Sequence, residues 1–209
     1  PGLASTSMEQ GRVAMTYACE GTDFRTQLQG EVLPTGIYTI PELSSVGETE
    51  ESLQAKGIPY VVGKGSFVEN ARANLIGEAV GWVKLLVSPK DLKVLGIHVI
   101  GPNAAELVHL GASVMALGGT YRYFIEAVFN YPTLGDTFKV AAYDARKKTA
   151  IVLATMISLV AFAAFIFYQI HRFTFTHSPF LIVLTVFDLV VIVLVWHEWR
   201  RRRRKGEFA

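Results

Sequence analysis

Residues 149–168 read TAIVLATMISLVAFAAFIFY, twenty residues without a charge. At ~1.5 Å of rise per residue such a helix covers about 30 Å, the hydrocarbon thickness of a bilayer. A second apolar stretch, residues 179–196, follows the ten-residue connector 169–178 and is interrupted only by Asp188. Burying both in a soluble core would need covering layers that the rest of a 209-residue chain does not supply. The pair is therefore expected as a transmembrane α-helical hairpin, with spans at about 149–170 and 179–199, in which each helix satisfies its own backbone.

Charge divides the chain at the same place. Residues 146–209 hold ten Lys/Arg and three acids, a net of +7; the whole chain is +2, so residues 1–145 carry −5. An acidic body with a basic, apolar tail argues against nucleic acid as a partner, since a basic folded surface is that partner's footprint. The tail's cations cluster at 146–148 and 200–205, outside both spans, which expects both ends and the soluble body in the cytoplasm. Trp196 and Trp199 stand where an interfacial aromatic anchor belongs. Asp188 is costly inside a span and is expected as a protonated acid bonded to Ser158 or Thr155 across the hairpin, or to a partner helix.

Within the body, residues 3–15 have helix-compatible spacing, and Gly21, Asp23 and Gly30 read as an exit and linker. Residues 37–40 are a short β-rich run ended by Pro41, and 48–56 a charged surface helix closed by Gly57. Residues 60–62 and 82–87 are strand-like. The turn 88–91 leads to a returning strand at 94–100, an antiparallel hairpin. A helix is expected to about Leu117, with Asn103 as N-cap and Glu106 as its capping-box partner. Helical patterns follow at 120–129 and 133–145. Strands followed by helices on one face make an α+β sandwich.

The reactive inventory is thin. Cys19 is the only cysteine, so no disulfide or Cys-x-x-Cys pair exists within the chain, consistent with a reducing compartment; it reads as an inert small hydrophobe. His98, His109, His171, His177 and His197 form no i, i+4 pair with a supporting acid, so no metal ligand is assigned, and His98 is expected to be packed on its strand. The stretch Gly63-Lys64-Gly65 lacks the third glycine and following helix of a phosphate loop. No export signal follows Pro1, and the start of the chain is expected to lie upstream.

Three stretches combine into something more specific: PGLASTSMEQG at 1–11, PTGIYTIPELSSVGETEESL at 34–53, and GIHVIGPNAAELVHLG at 96–111 followed by FNYPTLGD at 129–136. In this order they resemble the C-terminal part of the two-dinucleotide-domain flavoprotein oxidoreductases, the pyridine nucleotide-disulfide oxidoreductase family. Within it the likeness is greatest to the soluble pyridine nucleotide transhydrogenase branch. The resemblance covers about residues 1–145 and implies a segmentation: 1–30 the end of an FAD-binding domain and linker, 31–145 an antiparallel-sheet dimerisation domain, 146–209 an added membrane tail that the family pattern lacks. It implies a homodimer, FAD as cofactor and NAD(P)(H) as substrate bound by upstream domains.

In the family's disulfide reductases the turn at 129–136 reads His-Pro-Thr-x-x-Glu; here Tyr131 stands at the His position and Asp136 at the Glu position. A tyrosine titrating near ~10 does not shuttle protons at neutral pH, so the turn keeps its architecture without thiol chemistry. The transhydrogenase branch likewise has Asn-Tyr-Pro-Thr. By resemblance, Gly2, Leu3 and Ala4 match the helix start facing the flavin, where small residues let backbone N–H groups meet negative charge. Tyr131 and Pro132 match the loop reaching the flavin of the other subunit. No catalytic residue is assigned. The leading expectation is the dimerisation part of a membrane-anchored FAD-dependent NAD(P)H oxidoreductase that is transhydrogenase-like. The alternatives are a non-catalytic dimerisation and anchoring module, and a dehydrogenase delivering electrons to a membrane acceptor. The dimer is expected because the helix from Asn103 to Leu117 would leave an apolar face uncovered.

Overall fold

The computed structural model describes residues 3–21, 32–176 and 179–204. Gly2, the linker residues Asp23 and Gly30, and His177 lie outside the described residues. Helix α1 (Ala4–Glu20) comes first and is closed by Gly21 in the left-handed region. A five-stranded antiparallel sheet follows, in the order β1-β2-β5-β4-β3. Its strands are β1 (Thr35–Ile37), β2 (Glu42–Gly47), β3 (Val61–Ser66), β4 (Trp82–Val87) and β5 (Val94–Gly101). Between and after them lie α2 (Glu50–Lys56), α3 (Ala71–Leu75), α4 (Ala104–Ala116) and α5 (Arg122–Glu126). The long helices α6 (Thr137–Thr176) and α7 (Pro179–Arg204) end the described chain.

The period-2 pattern sets the faces. Val46, Val83, Leu85, Ile97 and Val99 are at most 2% exposed and point to the layer formed by α4 and α6. The opposite row carries Leu43, Trp82, Lys84, His98 and Ile100, in cross-strand register Leu43↔Ile100↔Trp82 and His98↔Lys84. The short α2 packs on that side through Leu53 against Tyr60, Val62 and Leu86, a second small core. The two main helices thus share one face, as expected, and α2 takes the other.

Several sequence expectations are corrected. Of the β-rich run 37–40 only Ile37 lies in a strand, at the end of β1; residues 38–41 form the connection, and β2 starts directly after Pro41, pairing with both β1 and β5. Gly63-Lys64-Gly65 belongs to β3. A Cβ at Gly63 would stand 2.3 Å from the Ala141 carbonyl oxygen, and one at Gly65 2.5 Å from that of Thr137, so these glycines are what lets α6 lie directly on the strand. The capping box at Asn103 is not formed: Asn103 adopts φ 56° and makes no side-chain cap, so its carbonyl accepts from the Glu106 and Leu107 amides instead. On α4, Ala104, Val108, Gly111, Ala112 and Val114 are buried against the sheet, while Leu107 and Leu110 are only partly covered.

Residue 146, where composition changes, falls inside α6. No glycine or proline occurs between Thr137 and Thr176, so nothing breaks the helix, and its 40 residues extend roughly 60 Å. Its first turns insert Phe138, Ala141, Ala142 and Ala145 into the core, all 0% exposed, with Phe138 stacked on Phe124 at 5.1 Å. Lys148, the last of the basic cluster at 146–148, is tied to the body: its Nζ donates to Asp144 Oδ2 at 2.7 Å and to the Val62 carbonyl at 2.9 Å.

Two helices, Leu134–Thr174 and Leu181–Arg201 as bounded by apolarity, are long and apolar enough to cross a membrane, with mean hydropathies of 2.6 and 2.2. None of the most apolar stretch of the first is buried, the opposite of a soluble core helix. The partner of Asp188 is Gln169, whose Nε2 donates at 2.8 Å while Thr185 Oγ1 donates to Gln169 Oε1 at 2.7 Å. Ser158 and Thr155 bond carbonyls of their own helix and take no part.

Candidate functional site

The turn at 129–136 is built to present side chains, not to bury them. Its backbone is held from two sides. Lys139, one turn into α6, donates its Nζ to the Ala127 carbonyl at 2.8 Å and lies 5.6 Å from the Phe129 ring centre. On the other side Asn70 Nδ2 donates to the Thr133 carbonyl at 2.9 Å and to Thr137 Oγ1 at 3.0 Å, while Asn70 Oδ1 accepts from the Ala73 amide and caps α3. Thr133 Oγ1 closes the turn onto the Asn130 carbonyl at 2.8 Å. The Tyr131–Pro132 bond is cis. Leu134, in the 3-10 turn Leu134–Asp136, drops into the core. Amid this fixed backbone Tyr131 is 76% exposed and Pro132 is exposed.

The helix start lies elsewhere. Leu3 is the N-cap of α1 in an extended conformation and supplies no side-chain cap, so the first-turn N–H groups of α1 have no partner from it. With Gly36, Tyr38, Ser44, Ala105, Val108 and His109, the residues Leu3, Ala4 and Ser5 line a groove of about 390 Å³. Pro132 and Thr133 line a different groove of about 490 Å³, with Arg72, Glu106, Leu107 and Leu110. Ala105, Val108 and His109 are one flank of α4, and Glu106, Leu107 and Leu110 the other. Of the sequence-expected site, Leu3 and Ala4 therefore border one flank of α4 and Pro132, next to Tyr131, the other, and the two grooves share no residue.

The exposed large apolar groups gather around the same end of the sheet: Tyr38, Ile40, Val80 and Tyr131 lie in or beside the loops that follow β1, precede β4 and precede α6. Among the described residues no group of three or more His, Cys, Asp or Glu could hold a metal ion. Cys19 is exposed, not buried as an inert hydrophobe would be. His98 is half-buried on β5, with Nε2 3.1 Å from the Glu48 carbonyl; burial first, then the positive Lys84, hold its imidazole below the usual 6.5. Asn70 and Lys139 are the residues sequence reasoning missed. The signal for Asn70 was an asparagine directly before a short helix; that it also reaches a turn 63 residues away is a tertiary fact.

Residues 33–142 match the family described as pyridine nucleotide-disulphide oxidoreductase, dimerisation domain. Residues 149–199 match one described as "Predicted membrane protein (DUF2127)". The soluble pyridine nucleotide transhydrogenase of Mycobacterium tuberculosis is 50% identical over 149 residues, 71% of this chain and 31% of the relative. That of a Marinomonas species is 45% identical over 149 residues, 69% of this chain and 31% of the relative. The chain thus spans about a third of the length of the curated relatives it matches. The crystal structure of LpdA from M. tuberculosis is similar with a TM-score of 0.60 and 26% identity, over 68% of this chain and 30% of that one. The Cu(II) complex of the HOCl-induced flavoprotein disulfide reductase RclA from Escherichia coli shares the fold at a TM-score of 0.61 and 22% identity, over 66% of this chain and 31% of that one.

Proposed function

The chain belongs to the pyridine nucleotide-disulphide oxidoreductase family through its dimerisation domain, and from that premise we propose that it is the C-terminal, membrane-anchored part of a dimeric FAD-dependent NAD(P)H oxidoreductase of transhydrogenase type. The observation that carries the reading is the rigidly held Tyr-Pro-Thr turn. Asn70 bonds its Thr133 carbonyl and Lys139 bonds the Ala127 carbonyl just before it, yet Tyr131 and Pro132 stand out, bare, from the fold. A fixed loop with exposed aromatic and proline side chains suits a partner surface, and the match to a dimerisation domain supports a second copy of the chain as that partner.

The residues fit a flavin in two respects. The first turn of α1, which receives no side-chain cap from Leu3, offers N–H groups and the positive end of a helix at a groove whose walls include Ala4 and Ser5, small enough for close approach. The separation of Leu3 and Ala4 from Tyr131 and Pro132 across α4 is what a site shared between two subunits requires, each chain giving one half to each of two sites. When bound, the flavin supplies the hydride-accepting and hydride-donating chemistry. This chain's contribution is to hold negative charge at the α1 start and to close the site from the partner with Tyr131 and Pro132. Tyr131 in place of histidine leaves no proton shuttle for a thiol, which argues against a disulfide acceptor, and the likeness to transhydrogenases favours another nicotinamide nucleotide. Apolar Tyr38, Ile40 and Val80 lie where the upstream domains and the second subunit would cover them.

The tail adds a hairpin that crosses the membrane twice, with the body and both ends cytoplasmic, on the side where nicotinamide nucleotides occur. The test is the protein expressed from its complete reading frame and purified from membranes in detergent. It should carry a flavin absorbance band and pass reducing equivalents from NADPH to an NAD analogue. Tyr131→Ala should lower that rate without releasing the protein from the membrane. A complete protein without flavin would sink the proposal in favour of a structural dimerisation module.

A further inference from the structure

The junction between body and hairpin has no slack. Helix α6 runs antiparallel to β3: Thr137 lies over Gly65, Ala141 and Ala145 over Gly63, and the Lys148 Nζ bonds the Val62 carbonyl. At Lys148 the helix is still clamped to the sheet, and the uncharged segment begins at the next residue, Thr149, whose own side chain is 3% exposed. Residues 149–170 contain no charge and cover roughly 33 Å, about one hydrocarbon thickness, so none of them is spare to lift the body away from the bilayer. The end of the sheet where α6 leaves is the end where β3 and β5 begin and β2 and β4 finish.

That end has a definite chemistry. The β4–β5 turn places Lys90 and Lys93 in solvent, and Arg146 and Lys147 are exposed on α6 beside it. Asp91, exposed in the same turn, makes a loose, solvent-exposed ion pair with Lys93 at 4.0 Å. The other ions there are already paired: Lys56 with Glu48, and Lys148 with Asp144. At the end of α4, Leu117 is 88% exposed directly before the glycine pair Gly118-Gly119, and Ile58 is 39% exposed after α2. Cations around bare leucine and isoleucine make a poor surface for water and a good one for an interface of anionic headgroups over acyl chains.

We propose that this end of the body is an anionic-lipid contact face. Lys90, Lys93, Arg146 and Lys147 engage headgroup phosphates, and Leu117 enters the headgroup–acyl boundary, so the body is fixed upright on the bilayer. The turn carrying Tyr131 and Pro132 then points away from the lipid, since twelve residues of α6, roughly 18 Å, separate Thr137 from Thr149. This inference rests on the reading of the hairpin as membrane-spanning.

The test uses the whole chain with Cys19→Ser, reconstituted in nanodiscs of neutral phosphatidylcholine or of phosphatidylcholine with phosphatidylglycerol. Fluorescent probes go on Leu117→Cys, on Val80→Cys at the far end, and on Val160→Cys in mid-span. A headgroup nitroxide should quench the Leu117 probe and not the Val80 probe. The anionic lipid should increase that quenching by about twofold or more, with the increase abolished by Lys90→Gln with Lys93→Gln or by high salt. Equal quenching at Leu117 and Val80, or no dependence on anionic lipid, overturns the proposal when an acyl-chain nitroxide quenches the Val160 probe. An unquenched Val160 probe removes the spanning hairpin itself, and this face with it.

Discussion

Replacing Asn70 by alanine removes three hydrogen bonds at once and tests how the Tyr131 turn is held. The Oδ1 cap on the Ala73 amide is worth about 1 kcal/mol by analogy with other N-caps. The two Nδ2 bonds end on the Thr133 carbonyl and on Thr137 Oγ1, and Thr137 is 0% exposed, so at least one acceptor is left without water or protein. An orphaned buried acceptor costs about 1–3 kcal/mol, giving a total of about 2–4 kcal/mol. At about 4 °C per kcal/mol for a body of this size, that is a fall in melting temperature of roughly 8–16 °C. The assay is thermal unfolding of the whole chain in mild detergent, followed by near-ultraviolet circular dichroism. Asn70→Asp separates the parts: its carboxylate can still cap α3 but has no donor for Thr133 or Thr137, so it should recover only the cap's share. If Asn70→Asp matches the native protein, or Asn70→Ala loses under about 1 kcal/mol, the turn is not held by Asn70 and the reasoning fails.

Gly65→Ala should destabilise by about 1–3 kcal/mol, because its Cβ would lie 2.5 Å from the Thr137 carbonyl and force α6 off β3; urea midpoints of the two proteins read this. His98 has a folded pKa below its unfolded 6.5, so the unfolded chain binds more protons between the two values and stability falls as pH drops through about 6.5. In His98→Gln that part of the pH dependence between pH 7.5 and 5 should vanish; an unchanged slope contradicts it. For topology, a cysteine at Thr174 should react with an impermeant reagent applied outside intact cells and one at Gly206 should not. Alkaline carbonate should leave the chain in the membrane; the reverse labelling or release by salt would contradict the arrangement.

What could be read from sequence were features with a local cause. The β4–β5 hairpin shows itself in the apolar runs 82–87 and 94–100 around a turn, and the hairpin helices in their length without charge. Strand β2 was hidden because Glu42, Ser44 and Ser45 give it no apolar period; its place is fixed by neighbours on both sides. Gly63 and Gly65 looked like an incomplete loop, and only the approach of α6 explains them. Composition changes at residue 146, but helix propensity does not, so a boundary legible in charge is invisible in the backbone. At the candidate site, Leu3, Ala4, Tyr131 and Pro132 were reached through motif likeness. Asn70 and Lys139 were out of reach, since each acts across a gap in sequence that one chain's pattern does not encode.

The proposed function requires a two-fold dimer in which each chain supplies Tyr131 and Pro132 to its partner. Native mass spectrometry of the detergent-solubilised complete protein measures this most directly. It should give particles of two chains at micromolar concentration, with flavin bound in the ratio of one per chain. A folded monomer that retains flavin would contradict the account, because a single chain keeps the two halves of the proposed site on opposite flanks of α4.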